Sequence, residues 1–382
     1  MSWPRSALLL VASSSRTGPA EGLISLAREA RARGIDARFA GDSVRPGEDL
    51  GGHLAHAGVP WEKELRLSRK VRPGDVLHDA RLLAEWVRSG RFDVLHAAFA
   101  HDHHLCLWAA SRARRDDLRV VRAAQRAIDV TPGAFGLRRW ALRRSDGVIV
   151  HCAAYRDRLL AQNLDPQRVA AIPAGVDAQW FTPGRAPGLR AAWGVPEEAP
   201  LAGIVARMKP ERGHRLLLEA FGRAVRQVPE AHLVLVGRGE DERALRDLAR
   251  RIAPSRIHFG GYLRGPGLVD AYRALDVAVW LREGNDGACR GVLEAMACGV
   301  PVIAGNEGAP AELVRDGEEG RVVDAAQPAG IATALAELLG DLRSTLRNGA
   351  AARARAEEFT PARAADATLA FWRRLRDLRR LS

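Results

Sequence analysis

Long apolar runs are missing from this chain. Hydrophobic residues make up 47% of its 382 positions, yet no stretch approaches the ~20 consecutive apolar residues that a membrane-crossing helix needs. The N-terminal ALLLVA is short, follows no extended basic leader and runs into SSSRTG, so it reads as a buried first strand rather than a signal peptide. Cysteine is scarce: Cys106, Cys152, Cys289 and Cys298 lie far apart, each in an apolar stretch. With no C-x-x-C pair and no Cys/His ligand spacing, neither a disulfide scaffold nor a structural zinc site is expected, and the thiols read as those of a reduced, cytoplasmic protein. His101, His103 and His104 cluster in AHDHH but lack the i, i+4 register of a zinc-binding helix, so no metal is expected. Lysine is also rare, with Lys63, Lys70 and Lys209 standing among 58 Lys+Arg.

The arginine excess gives a net charge of +12. Residues 1–183 hold 28 Lys+Arg against 20 Asp+Glu, and the remainder 30 against 26, so the excess lies mainly in the first half. Acidic phospholipid, an anionic acceptor, nucleic acid or arginine-rich composition alone are all compatible with that balance. The length exceeds what one core usually serves and predicts two domains.

Residues 8–13 read as a buried strand, SRTGPAEG as a glycine loop entering an amphipathic helix, and IDARFAG as a second strand. This is a Rossmann-type opening without the full dinucleotide fingerprint. A helix over 76–89, the strand FDVLHAAF, a helix over 103–115 and the strand LRVVRAA continue the alternation. From Leu201 it restarts, with LAGIVAR, HLVLVG, RIHFGGY and VAVWL separated by helices over 213–228, 240–253 and 267–274. VGRGE at 236–240 is a lone Gly-x-Gly and a weak signal. Residues 356–382 read as an arginine-rich helix with Phe371, Trp372, Leu375 and Leu378 on one side. Strand–helix alternation in both halves predicts parallel sheets covered on both faces, with ligands beyond the strand carboxyl ends. Lys63, Arg66, Arg69, Lys70 and Arg72 interleave with Trp61, Leu65, Leu67 and Val71. For that run, a solvated basic face and a surface for an anionic bilayer are both open.

The stretch from Trp280 to Val314 organises the rest. It reads as strand, acidic glycine-bearing loop, helix opening near Ala288, stop at Gly299, the strand VPVIAG, and a further helix start. Asp286 and Gly287 precede the helix and Glu294 lies two turns in. Helix N–H groups suit phosphate and carboxylates suit sugar hydroxyls. A nucleotide sugar offers both.

The segment DGACRGVLEAMACGVPVIAGNEGAPAEL resembles the donor-binding signature of the retaining family-4 glycosyltransferases, which have the GT-B fold. That signature has two acids separated by seven residues, then Ala-Met-Ala-x-Gly-x-Pro-Val and Gly-Gly-x-x-Glu. Asp286 and Glu294 keep the spacing, with Asp where Glu is usual, while Glu283-Gly284 preserves the familiar Glu-Gly pair three residues too early. Gly308 and Glu312 fall on the closing motif. Arg207 and Arg212 match the family's Arg–Lys pair on the donor diphosphate, with Arg for Lys, a change that adds a bidentate fork. Gly18 matches the first-loop glycine that faces the diphosphate, and IPAGVDAQWFTP resembles the hinge between domains. FDVLHAAFAH resembles Asp-Val-x-His-x-His, with Ala98 at the second histidine. Gln125 stands where the family usually has a histidine near the reacting sugar, and glutamine can bond a hydroxyl but carries no proton.

The resemblance implies an α/β protein of the GT-B class, two Rossmann-like domains with parallel sheets facing a central cleft. Residues 1–183 would bind the acceptor, 184–355 the nucleotide sugar, and 356–382 would form a helix crossing back to the first domain. It implies a retaining, metal-independent glycosyltransferase that needs no cofactor beyond its nucleoside-diphosphate sugar co-substrate. The expected acceptor is a lipid-linked or cell-envelope glycan or glycolipid. An anionic membrane surface at the inner face of the plasma membrane is a further expected partner, and nucleic acid is not. Arg207, Arg212 and Asp286 should carry catalysis, and Gly18, Gln125, Gly287, Glu294, Gly308 and Glu312 should bind substrate. A non-catalytic nucleotide-sugar binder and a GT-B sugar epimerase remain as alternatives. HFGGYLRG at 258–265 matches the segment that reads the base through its backbone, so UDP, GDP and ADP donors are not separated.

Overall fold

The computed structural model describes the chain except residues 1–2, 16, 45–49, 69–71, 132–135, 284–285 and 382, with the side chains of 286–288 and 379–381 also set aside. The chain divides into two compact units, Met1–Ala174 with Pro361–Ser382, and Gly175–Thr360. The division falls after Ala174 rather than at 183.

In the first unit the short apolar runs become strands β1 (Ser6–Leu10), β2 (Asp36–Ala40), β3 (Val94–Ala97), β4 (Arg119–Ala123), β5 (Gly147–Val150) and β6 (Val169–Ala171). They form one parallel sheet in the order β2-β1-β3-β4-β5-β6. Alternation along the first strand feeds two cores: Ala7, Leu9 and Val11 face one, while Leu8, Leu10 and Ala12 face the other. The first core is completed by the helix Pro361–Leu381, whose Phe371, Trp372 and Leu375 are buried with Leu378 packed beside them. Gly147 on β5 makes room for that helix, since a Cβ there would lie 2.4 Å from Leu375 Cδ1. Buried Arg119 donates to the carbonyls of Leu375 at 3.0 Å and Arg376 at 3.1 Å, anchoring the helix end. The preceding helix, Leu342–Ala356, belongs to the second unit, so the C-terminal helix starts at Pro361 rather than 356.

The second unit repeats the plan with β7 (Leu201–Val205), β8 (His232–Val236), β9 (Ile257–Gly261), β10 (Val277–Trp280), β11 (Val302–Gly305) and β12 (Gly320–Val323). The order is β12-β11-β10-β7-β8-β9, again all parallel. Leu217, Leu218 and Phe221 of one covering helix meet Leu335 and Leu338 of another over this sheet.

The described part of the basic run, 63–68 with Arg72, does not turn its leucines to solvent. Leu65 and Leu67 are fully buried, and Trp61 packs on the core. Backbone N–H groups of Arg66 and Leu67 bind the Asp79 carboxylate at 2.8 and 2.9 Å, which turns those leucines inward. Lys63, Arg66 and Arg72 therefore present charge without an apolar insert; Arg69, Lys70 and Val71 lie outside the described residues. Among the described residues no helix is long and apolar enough to cross a membrane.

Candidate functional site

In open parallel sheets the binding crevice lies where strand order reverses. In the second unit that point falls between β7 and β10, beneath the loops carrying Arg207 and Glu283. Glycine lets these loops close on one another. At Gly308 (φ +67°) a Cβ would lie 2.6 Å from Glu283 Cβ, bringing the loop after β11 onto the loop after β10. At Gly237 (φ +141°) it would lie 2.0 Å from the Ala206 carbonyl oxygen, and at Gly239 as close to that of Met208. The lone Gly-x-Gly is thus the backing of the Arg207 loop, a role that shows only once the loops are folded together.

Arg207 emerges from β7 exposed, and no carboxylate among the described residues pairs with it. Lys209, two residues on, lies 3.6 Å from Glu240 and 3.9 Å from Glu211. Arg212 ends the short turn Pro210–Arg212 and is half-buried. The neighbouring His214 has its pKa lowered to about 4, first by burial and then by the Arg212 charge.

The helix expected from Ala288 begins at Asp286 and runs to Ala297. Asp286 and Gly287 are therefore in its first turn, while their side-chain surroundings lie outside the described residues. Glu294 lies about 12 Å along the axis from Asp286 at 1.5 Å per residue, and is half-buried. The Tyr272 hydroxyl donates to Glu294 Oε2 at 2.8 Å. Burial, and then the Glu294 charge, push the Tyr272 pKa well up, which keeps the phenol a donor. Glu312 is exposed on the short helix Gly308–Leu313. Glu283, set aside on spacing, sits against Gly308 and belongs to the same loop cluster.

In the first unit Gly18 opens the helix Gly18–Ala32 beyond β1. Gln125 follows β4, with its Oε1 buried and lacking a hydrogen-bond partner. A buried charge network that the sequence did not reveal braces these strand ends. Asp102 accepts the backbone N–H groups of Ala12 and Phe99 at 3.1 Å. Arg122 donates to the Ala98 carbonyl and pairs with Asp129 at 3.2 Å, both side chains 2% exposed. The AHDHH histidines diverge: His103 meets Ser145 Oγ at 2.6 Å, and His104 meets the Ala100 carbonyl at 2.7 Å. No His/Cys/Asp/Glu group among the described residues could hold a metal. All four cysteines are buried, and none of them is in a disulfide.

Residues 17–180 match the family described as Glycosyltransferase Family 4, and residues 199–341 the family described as Glycosyl transferases group 1. Over 321 residues the chain is 29% identical to a D-inositol 3-phosphate glycosyltransferase of Stackebrandtia nassauensis, covering 79% of this chain and 69% of that protein. It is 31% identical over 255 residues to a GDP-mannose-dependent alpha-(1-6)-phosphatidylinositol monomannoside mannosyltransferase of Mycolicibacterium smegmatis, covering 63% and 66% respectively. Of a D-inositol 3-phosphate glycosyltransferase 2 from Catenulispora acidiphila the chain spans less than half, 43% of that protein's length. Among solved structures, Anabaena HepE in complex with UDP-glucose superposes with a TM-score of 0.79 at 21% identity, covering 96% of this chain and 98% of that one. That likeness fixes the fold.

Proposed function

Because the chain belongs to the family-4 glycosyltransferases of the GT-B fold, we propose that it moves a sugar from a nucleoside-diphosphate sugar to a glycan or glycolipid acceptor, retaining anomeric configuration and using no metal. The observation that carries this reading is Arg207, which stands exposed and without a carboxylate at the end of β7, at the point where strand order reverses. Cleavage of the sugar–phosphate bond leaves negative charge on the diphosphate, and fixed positive groups that meet it there lower the barrier. Arg207, Arg212 and the first-turn N–H groups at Asp286 and Gly287 supply that charge. Gly18 lets backbone approach the diphosphate. Asp286 and Gln125 hold hydroxyls of the donor sugar, and Glu294, steadied by Tyr272, accepts those of the ribose. Gly308 and Glu312 complete the donor side. The ~12 Å between Asp286 and Glu294 suits the two ends of a sugar–diphosphate–ribose chain. The departing phosphate takes the acceptor proton, so no protein base is required.

A mannosyltransferase named for a phosphatidylinositol monomannoside, and a neighbour solved with UDP-glucose, support a hexose donor and a glycolipid acceptor. They name both GDP-mannose and UDP-glucose, so the base stays open. The test is a thermal-shift panel of UDP-, GDP- and ADP-sugars, followed by an assay for released nucleoside diphosphate. Stabilisation by one donor with slow hydrolysis is expected. Tight donor binding with no turnover on any glycan or glycolipid would favour a non-catalytic nucleotide-sugar binder.

A further inference from the structure

Two polar side chains stand without partners at neighbouring strand ends of the first unit. β4 and β5 pair in parallel with Ala123 opposite Ile149, and the Ala124 N–H extends the ladder to the Ile149 carbonyl at 2.8 Å. Two residues further along each chain, Gln125 comes level with His151, both just beyond the carboxyl ends of their strands. Gln125 Oε1 and both ring nitrogens of His151 are buried, and none of the three has a hydrogen bond among the described residues. Other contacts fix the two residues in place. The Arg126 N–H binds Asp129 at 3.2 Å, which holds the backbone beside Gln125 while its amide oxygen is left unused. His151 is 3% exposed, and its ring meets Tyr155 in a T-shaped contact, centroids 4.6 Å apart, which steadies the imidazole. His96, whose nitrogens are equally unused, lies inside β3 against Trp372, in the core. His151 lies instead where parallel sheets bind ligands.

We propose that His151 and Gln125 together bind a hydroxyl of the donor sugar, which makes His151 a specificity-determining residue of the transfer. The inference rests on the reading of this chain as a nucleotide-sugar-dependent glycosyltransferase. Polarity decides the ligand class. Burial lowers the His151 pKa to about 4, so the imidazole is neutral at pH 7, with one donor and one acceptor nitrogen. An amide oxygen beside a neutral ring gives a phosphate no countercharge and repels its oxygens. An apolar ligand would leave all three atoms unsatisfied, which is the costly outcome. A hydroxyl satisfies both residues: its O–H donates to Gln125 Oε1, and its oxygen accepts the imidazole N–H. Glu294 already serves the ribose, which leaves the transferred sugar as the source of that hydroxyl. A site built to bond a hydroxyl rejects a ligand that lacks it, so the pair selects among donor sugars.

The test is calorimetry on the full chain with UDP and UDP-glucose, GDP and GDP-mannose, and ADP and ADP-glucose. For the base that binds, the ratio of Kd for the nucleotide to Kd for the nucleotide sugar isolates the contribution of the sugar. His151→Leu should leave the Kd of the bare nucleotide unchanged and lower that ratio about five- to tenfold, the worth of one hydrogen bond. Its Tm should match or exceed that of wild type, because two unpartnered nitrogens leave the interior. His151→Asn and His151→Gln each put an amide where one ring nitrogen stood, and one of them should regain part of the ratio. An unchanged ratio in His151→Leu, with nucleotide binding intact, overturns this inference alone and returns His151 to the core. So does an equal loss of affinity for nucleotide and nucleotide sugar, which marks a structural role. A wild-type chain that binds none of the three nucleotides overturns the glycosyltransferase reading itself.

Discussion

Acid should destabilise this protein well before its carboxylates titrate, because it buries neutral imidazole. His96, His151 and His214 are 2–3% exposed, and among the described residues neither ring nitrogen of any of them has a hydrogen bond. His103 is as deeply buried, with Ser145 as partner. Burial is the leading cause in each case, and it lowers their pKa to about 3 for His96 and His103 and about 4 for His151 and His214; Arg122 adds to the first two. In the unfolded chain the same groups titrate near 6.5. The folded state therefore holds fewer protons between pH 6.5 and about 4. The stability this represents is fully present above pH 6.5 and is lost as pH falls toward 4. His232, likewise buried, has its pKa lowered to about 4, first by burial and then by the neighbouring His258 and Arg256 charges. Each histidine contributes up to about 1.4 kcal/mol per pH unit, so the five give about 6 kcal/mol between pH 6 and 5, comparable with a typical net stability of about 5–15 kcal/mol. Asp79 and Asp102, whose pKa values burial raises, work in the opposite direction. Urea unfolding followed by tryptophan fluorescence from pH 7.5 to 5 measures the slope. His96→Leu removes two unpartnered buried nitrogens and should be neutral or stabilising at pH 7 while flattening the slope by about one fifth. A midpoint that stays level from pH 7.5 to 5, or a His96→Leu variant with the full slope, refutes the argument.

Arg207→Ala should cut transfer at saturating donor by about a hundredfold, the usual cost of one charge-assisted donor to a developing anion; turnover within threefold of wild type would sink the assignment. Asp286→Asn should lose most transfer yet keep nucleoside-diphosphate binding, whereas Glu294→Gln should weaken that binding itself, as calorimetry will report. If Glu283→Gln abolishes transfer and Asp286→Asn does not, Glu283 is the first acid of the pair. Gly237→Ala forces a strained φ against the Ala206 carbonyl and should cost about 1–3 kcal/mol, read as a lower Tm together with weaker donor binding.

The alternation of strands and helices was legible because each strand is a short apolar run ended by glycine or a charged turn, and that pattern survives without tertiary context. The face of the C-terminal helix was equally plain, since Phe371, Trp372, Leu375 and Leu378 keep helical spacing. What escaped depended on which way a residue turns. Trp61, Leu65 and Leu67 alternate with basic residues as a membrane-facing segment would, yet the Asp79 carboxylate holds the backbone at Arg66 and Leu67, and Trp61 bridges to Phe39 of β2. Helix spacing placed the helix start at Ala288; Asp286 lies inside its first turn because Asp is tolerated at a helix N-terminus. Gly237, Gly239 and Glu283 owe their places to contacts between loops that no local pattern encodes. Asp102, Arg122 and Asp129 carry no local pattern that marks them as buried, and only the folded strand ends bring them together.

Trp372 and Leu375 belong to the core of the unit that begins at the other end of the chain. On the ribosome, residues 7–171 emerge first, but their sheet keeps an uncovered apolar face around Gly147 and His96 until residue 375 has left the exit tunnel. The middle unit, Gly175–Thr360, already has all of its own strands by then. Folding thus runs against the usual N-terminal-first order of synthesis. During every round of translation, the first half of this protein is the part that waits, and the part a chaperone or a premature stop codon will find open.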